Sequence, residues 1–106
     1  MHLPRRLTLP FLASALFGAA VVSGCAGAPV QEMSDARQAV RAADKAGAEQ
    51  HAPELMTEAE RLLASAKANL YKGDYRLARD EAEQARDKAM EARRVAEQAK
   101  APPQAD

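Results

Sequence analysis

The stretch that decides the fold is residues 74–100, DYRLARDEAEQARDKAMEARRVAEQAK. From Tyr75 onward a small or apolar residue recurs at alternating steps of three and four, the spacing of one helix face in a bundle or coiled coil. The members of this alanine seam are Tyr75, Ala78, Ala82, Ala85, Ala89, Ala92, Ala96 and Ala99. The spacing predicts a long helix over 74–100 that packs through alanine.

A second helix is predicted over residues 53–72. Pro53 suits a first helical turn, where its missing N–H is not needed, and Gly73 suits the left-handed residue that ends a helix. The short segment YKGDY at 71–75 predicts an antiparallel hairpin with the long helix. We expect the leucines of 53–72 to supply the bulk opposite the alanines; these are Leu62, Leu63 and Leu70.

A first helix is predicted over residues 32–47, capped by Ser34 or an earlier residue and lying along the hairpin. Its stripe consists of Met33, Ala36, Val40, Ala43 and Gly47, and Gly47 is also the expected stop. The predicted fold class is all-α: a short three-helix bundle, or helical hairpin with a long alanine-rich third helix, spanning 32–100. Residues 101–106 are expected to be a disordered tail.

The N-terminal residues 1–24 have the pattern of an export signal. Arg5 and Arg6 precede an uncharged run over 7–22, which is short for a bilayer and contains Pro10 and Gly18. The run ends in the residues 22–25, VSGC, which resemble a bacterial lipobox. That resemblance implies that the signal is cut before Cys25 and that Cys25 carries acyl chains such as palmitate. Residues 25–31 would then be the lipidated cysteine and a flexible tether.

Two simpler interpretations of Cys25 stay open. In the first, Cys25 is an ordinary small buried residue. In the second, an ordinary signal peptidase cuts after the small residues 26–28, with Pro29 just beyond the cut. If Cys25 is lipidated, Ala26 follows it where an aspartate would imply inner-membrane retention. We therefore expect an outer-membrane protein that faces the periplasm, with the inner membrane as the alternative.

The composition excludes some classes of partner. Once Arg5 and Arg6 are removed, 13 basic residues face 15 acidic ones, which leaves a net charge of −2. A nucleic-acid-binding protein would show a basic face instead. The mature chain has no tryptophan and few large apolar residues, so its core is small. We expect it to be helped by self-association, a protein partner or very close helix packing.

One charged row on the long helix has two interpretations. Arg79, Arg86, Arg93 and Lys100 recur at seven-residue spacing. The row is either a stripe that recognises an acidic helix or polymer, or a solvated face held by local pairs such as Arg79 with Glu83. Such pairs contribute only about 0.2–0.5 kcal/mol each.

The sequence predicts no enzyme. His51 is the one histidine after the signal, and the hydroxyl residues Ser34, Thr57 and Ser65 lie in helix-forming sequence. No catalytic triad, metal site or cofactor site is predicted from so few groups. His51 is expected to be a solvated loop residue.

Two resemblances complete the sequence-based prediction. The segment 68–85 resembles a tetratricopeptide-repeat turn, carried by Tyr71, Gly73, Asp74, Tyr75, Ala78 and Ala85, although a solenoid needs about three copies. The closer resemblance is to the family of bacterial lipoprotein domains catalogued as domain of unknown function 4398. It is carried by the APEL start at 52–55, by Gly73 and Tyr75, and by the alanines from Ala78 to Ala99.

The family resemblance implies no activity. The expected function is therefore a structural or adaptor role in the cell envelope, through membrane lipid at Cys25 and a protein partner or self-association. The alternative is a tetratricopeptide-like module that binds a peptide or a cell-wall polymer; no motif specifies contact with peptidoglycan.

Overall fold

The computed structural model describes residues 27–102, which form four helices. Their bounds are α1 Val30–Lys45, α2 Ala48–His51, α3 Pro53–Lys72 and α4 Tyr75–Lys100. No strand occurs between residues 27 and 102. The predicted all-α fold class is confirmed, with one short helix more than the three expected.

The long helix α4 is the central element of the bundle. It packs extensively against both α1 and α3, whereas α1 and α3 touch each other much less. One apolar cluster joins Met33 of α1 to Leu62 of α3 and Ala85 of α4, and a second joins Ala43 to Met56 and Ala92. Later residues of α1 therefore meet later residues of α4, so the two run parallel, while α3 runs antiparallel to both.

Six members of the alanine seam form the centre of the core. Ala78, Ala82, Ala85, Ala89, Ala92 and Ala96 are all completely buried. Because methyl groups let helices approach closely, dispersion and fit replace bulk at this interface. The seam is covered by α1 and α3 of the same chain, so it offers no surface to a second copy.

The two ends of the predicted seam do not belong to the core. Tyr75 is 38% exposed, and Ala99 is exposed as well. Tyr75 is the first residue of α4 and Ala99 lies in its last turn, so both stand at the ends of the bundle. Their spacing alone could not show that the other helices do not cover them.

The bulk in the core comes mainly from two methionines rather than from the three leucines. Met33 and Met56 are each 2% exposed. Met33 lies in the cluster with Leu62 and Ala85, and Met56 lies in the cluster with Ala43 and Ala92. Leu62 is buried as expected, but Leu63 and Leu70 are only partly buried against it. An unbranched thioether side chain adapts to the irregular space beside a row of alanines.

The turn between α3 and α4 is closed by backbone hydrogen bonds. Gly73 has φ 83°, its N–H donates to Leu70 O at 3.0 Å, and the N–H of Asp74 donates to Asn69 O at 2.9 Å. This pair of bonds around a left-handed glycine is a Schellman motif. Asp74 also caps α4, because its side chain accepts from the backbone N–H of Leu77 at 3.4 Å.

The first helix differs from its predicted bounds at both ends. It begins at Val30, after Pro29 and not at a Ser34 cap, so residues 30 and 31 of the expected tether are helical. It ends at Lys45, and Gly47 then takes φ 92° and starts the short helix α2. Ala48 of α2 is completely buried in the core, so this turn of helix packs on the bundle.

Between residues 27 and 102, no helix has the combination of length and apolar character that crossing a membrane requires.

We predict that Ala85→Leu destabilises the bundle by about 1–3 kcal/mol, because a larger side chain in a close-packed core forces the helices apart. Ala68→Leu on the exposed face of α3 is the matched control and should change the free energy of unfolding by less than about 0.5 kcal/mol. Urea unfolding followed by circular dichroism at the helical band measures both. Equal midpoints would show that the seam is not tightly packed.

Candidate interaction surfaces

The basic row on α4 is divided by local ion pairs. Arg86 donates from Nε and Nη2 to Asp87 Oδ1 at 3.1 and 2.9 Å, and Arg93 donates from Nε to Glu97 Oε2 at 2.9 Å. The hydrogen bond from Arg86 to Asp87 raises the pKa of the Arg86 guanidinium. Because these pairs are largely exposed, each contributes at most about 1 kcal/mol. The row therefore does not present four unpaired cations to a ligand.

Arg79, the first member of the row, connects two helices. Its Nη2 donates to Gly27 O at 2.9 Å, and its Nε lies 3.5 Å from Glu32 Oε2. The expected local pair with Glu83 is not what the structure shows. Both partners of the Arg79–Glu32 pair are about one-third exposed, so the guanidinium fastens the start of α1 to the start of α4.

A groove lies between the ends of α1 and α4, where Lys100 closes the row. Its volume is about 290 Å³, and Arg93, Glu97 and Lys100 line one side while Ala42, Lys45 and Ala46 line the other. The lining contains three cationic side chains and one carboxylate. Any binding here would be mainly electrostatic, and screened by salt.

A second groove, the α1–α3 groove, lies where α1 and α3 separate. Its volume is about 260 Å³, and it is lined by Met33, Arg37, Glu60, Leu63, Ala64 and Lys67. Leu63 is only partly buried by its own chain, and Ala64 is exposed. An apolar floor between charged edges is typical of a surface that accepts another helix.

A polar cluster connects the opposite flank of α3 to α4. Ser65 Oγ donates to Glu81 Oε2 at 2.8 Å, and Asn69 Nδ2 donates to Glu81 Oε1 at 2.7 Å. All three residues are half-buried. This cluster was not predicted from the sequence, although Ser65 and Asn69 are one helical turn apart and flank the buried face of α3. Their meeting with Glu81 depends on the hairpin register.

The groups considered for catalysis lie on three different helices. His51 is exposed at the end of α2, Ser65 is occupied by Glu81, and Ser34 Oγ accepts from Gln38 Nε2 at 3.3 Å within α1. In the part of the chain that the structure describes, no three His, Cys, Asp or Glu side chains are grouped so as to hold a metal ion. The predicted lipidation residue, Cys25, lies outside the described residues.

The helices and their turn match a known family over most of the chain. The family model described as Domain of unknown function (DUF4398) matches residues 31–106, which include almost all of α1 and the whole of α2, α3 and α4. The chain belongs to this family. The resemblance inferred from the APEL start and the Gly73 turn is thereby confirmed. No curated protein and no solved structure matches the chain.

Within this DUF4398 bundle, we predict that Glu81→Ala lowers the free energy of unfolding by about 1–2 kcal/mol. The substitution leaves Ser65 and Asn69 half-buried without their shared acceptor. Glu91→Ala, at an exposed position of the same helix, is the control and should stay within about 0.5 kcal/mol. Equal unfolding midpoints for the two variants would exclude a stabilising role for the cluster.

Proposed function

We propose that this protein is a lipoprotein, anchored in the outer membrane through acylated Cys25 and facing the periplasm, with a structural or adaptor role. The anchor is supported by the order of the N-terminal features: Arg5 and Arg6, the uncharged run over 7–22, then VSGC. Three acyl chains hold a protein on a membrane far more firmly than one, at about 0.8 kcal/mol per buried methylene.

The observation that carries the adaptor role is the α1–α3 groove. The central helix α4 uses its seam on α1 and α3, but these two outer helices leave their shared side open. A helix laid in the groove would give the bundle a fourth member. It would cover Leu63 and Ala64, and apolar burial contributes about 25 cal/mol per Å².

The charges at the edges of the groove favour a partner helix with acidic flanks. Arg37 stands on the α1 side, and Glu60 and Lys67 stand one above the other on the α3 side. A partner with small apolar residues along one face and carboxylates beside them would satisfy both cations. The partner is either another envelope protein or a second copy of this chain, for which the buried seam is not accessible.

The alternative is that the same groove binds a peptide or a cell-wall polymer in the manner of a tetratricopeptide module. Arg37 and Lys67 would then pair with carboxylates of the ligand. Between residues 27 and 102 the structure has a single α3–α4 hairpin with α1 beside it, not a stack of hairpins. We therefore place this function second.

No catalytic activity is part of the proposal.

We predict that Cys25→Ser yields an uncut precursor that takes up no fatty acid, because serine lacks the thiolate that accepts the lipid. Metabolic labelling with an alkyne fatty acid and intact-mass measurement check both points. Ser23→Ala keeps a small residue two positions before the cut and is the control, with normal processing expected. A Cys25→Ser protein that is processed and labelled like the parent would contradict the anchor.

The adaptor role predicts a position-dependent crosslink in cells. A photoreactive residue at Ala64, which lines the groove, should capture a defined partner that mass spectrometry identifies. The same residue at Ala68, exposed one turn later on α3, should capture much less. A self-adduct would indicate an oligomer, and a glycan or peptide adduct would favour the alternative function. Equal or absent capture at the two positions would exclude the groove.

A further inference from the structure

The end of the bundle that carries the α3–α4 turn has an unusual concentration of exposed apolar side chains. Tyr71 is 79% exposed, Leu77 is 41% exposed and Tyr75 is 38% exposed. The first residue of α1, Val30, is 67% exposed and lies at the same end, because α1 and α4 run parallel. We call this surface the turn end. In a protein with so few large apolar residues, their exposure here needs a physical cause.

The start of the described chain is fixed at this same end. Arg79 Nη2 donates to Gly27 O at 2.9 Å, its Nε faces Glu32, and Pro29 is fully buried. The backbone from Gly27 to Val30 is therefore held on the bundle. Only Ala26 separates Gly27 from Cys25.

This short connection limits how far the bundle can stand from a membrane. A residue spans at most about 3.6 Å, so Cys25 lies within about 7 Å of Gly27. The headgroup layer on each side of a bilayer is about 5–7 Å deep, from the difference between its total and hydrocarbon thickness. If acyl chains on Cys25 enter the hydrocarbon, Gly27 and the turn end must lie in or against the headgroups.

The side chains at the turn end suit that environment. Tyrosine has an apolar ring and a polar hydroxyl, and it is enriched at membrane–water interfaces. Lys72 and Arg76 are exposed beside the turn and would meet anionic headgroups, while Asp74 is occupied as the cap of α4. The opposite end of α4 is about 39 Å away, at 1.5 Å per residue over 26 residues.

We propose that the turn end is a membrane-contact surface, with Tyr71, Tyr75 and Leu77 seated in the lipid headgroup layer beside the lipidated Cys25. This inference rests on the proposed lipidation. The proposal defines how the bundle is oriented on the membrane: the turn end contacts the lipid, and the opposite end of the bundle points into the periplasm. Arg79 is the positioning residue, since it holds the tether next to the turn.

The test uses a single tryptophan as a reporter, because the chain has none of its own. The full-length protein is produced in a lipidating bacterium as Tyr71→Trp, purified, and added to preformed vesicles of phosphatidylethanolamine and phosphatidylglycerol. Met90→Trp is the matched variant, since Met90 is 57% exposed on α4 and lies away from the turn. Neither position is buried, so both variants should fold.

Acrylamide in the water then quenches the two reporters to different extents. By exposure in the free protein, position 71 should be quenched at least as strongly as position 90. On vesicles we expect the order to reverse, with quenching at position 71 reduced about twofold or more, because a ring in the headgroups is withdrawn from water. Equal quenching, or protection of both positions, would overturn the proposed orientation.

Two further measurements distinguish a failure of the membrane contact from a failure of the anchor: the mass of the intact protein, which shows whether Cys25 is acylated, and flotation with the vesicles. If the acylated protein floats with the vesicles but acrylamide quenches the tryptophan at position 71 as strongly as it does without vesicles, the membrane contact is refuted and the anchor stands. Protein with no acyl group on Cys25 that stays in solution would refute both.

Discussion

The close contact between the alanine seam of α4 and the two outer helices is the interaction on which the rest of the structure depends. Six methyl groups are completely buried along one helix, and no other residue type of that helix shares this burial. Alanine combines the strongest helix propensity with the smallest core side chain. The seam therefore supports a long helix and brings its neighbours close enough for many weak dispersion contacts to add up.

A core of this kind needs a few larger residues and several polar contacts to select one arrangement. Met33 of α1 fills one cluster and Met56 of α3 fills the other, so the bulk beside the nearly uniform row of alanines comes from a different helix in each half of the bundle. Glu81 fixes α3 against α4 through Ser65 and Asn69. Arg79 fixes α1 against α4 at the turn end. These contacts specify register where methyl groups alone would tolerate sliding.

The same arrangement separates the surfaces that we propose for function. Because the seam is used internally, we assign binding to the outer helices, and the α1–α3 groove is one apolar surface that they leave open. In our proposal the turn end faces the membrane. The groove then extends away from the membrane and remains accessible to a partner in the periplasm. An anchor at one end and a binding groove along the side are consistent with an adaptor.

The sequence by itself determined the all-α class, the hairpin and the family, because helix spacing, Gly73 and Asp74 act over a few neighbouring residues. It also predicts a lipobox at 22–25, a kind of linear motif that enzymes recognise without depending on the fold. Only the tertiary structure decided that methionines provide the bulk, that Ala48 makes a further helix, and that Tyr75 and Ala99 leave the core. It also decided that Arg79 pairs with Glu32 and Gly27 and that Glu81 meets Ser65 and Asn69. Each of these outcomes depends on which helices lie side by side and how far each extends, and residues distant in sequence set both.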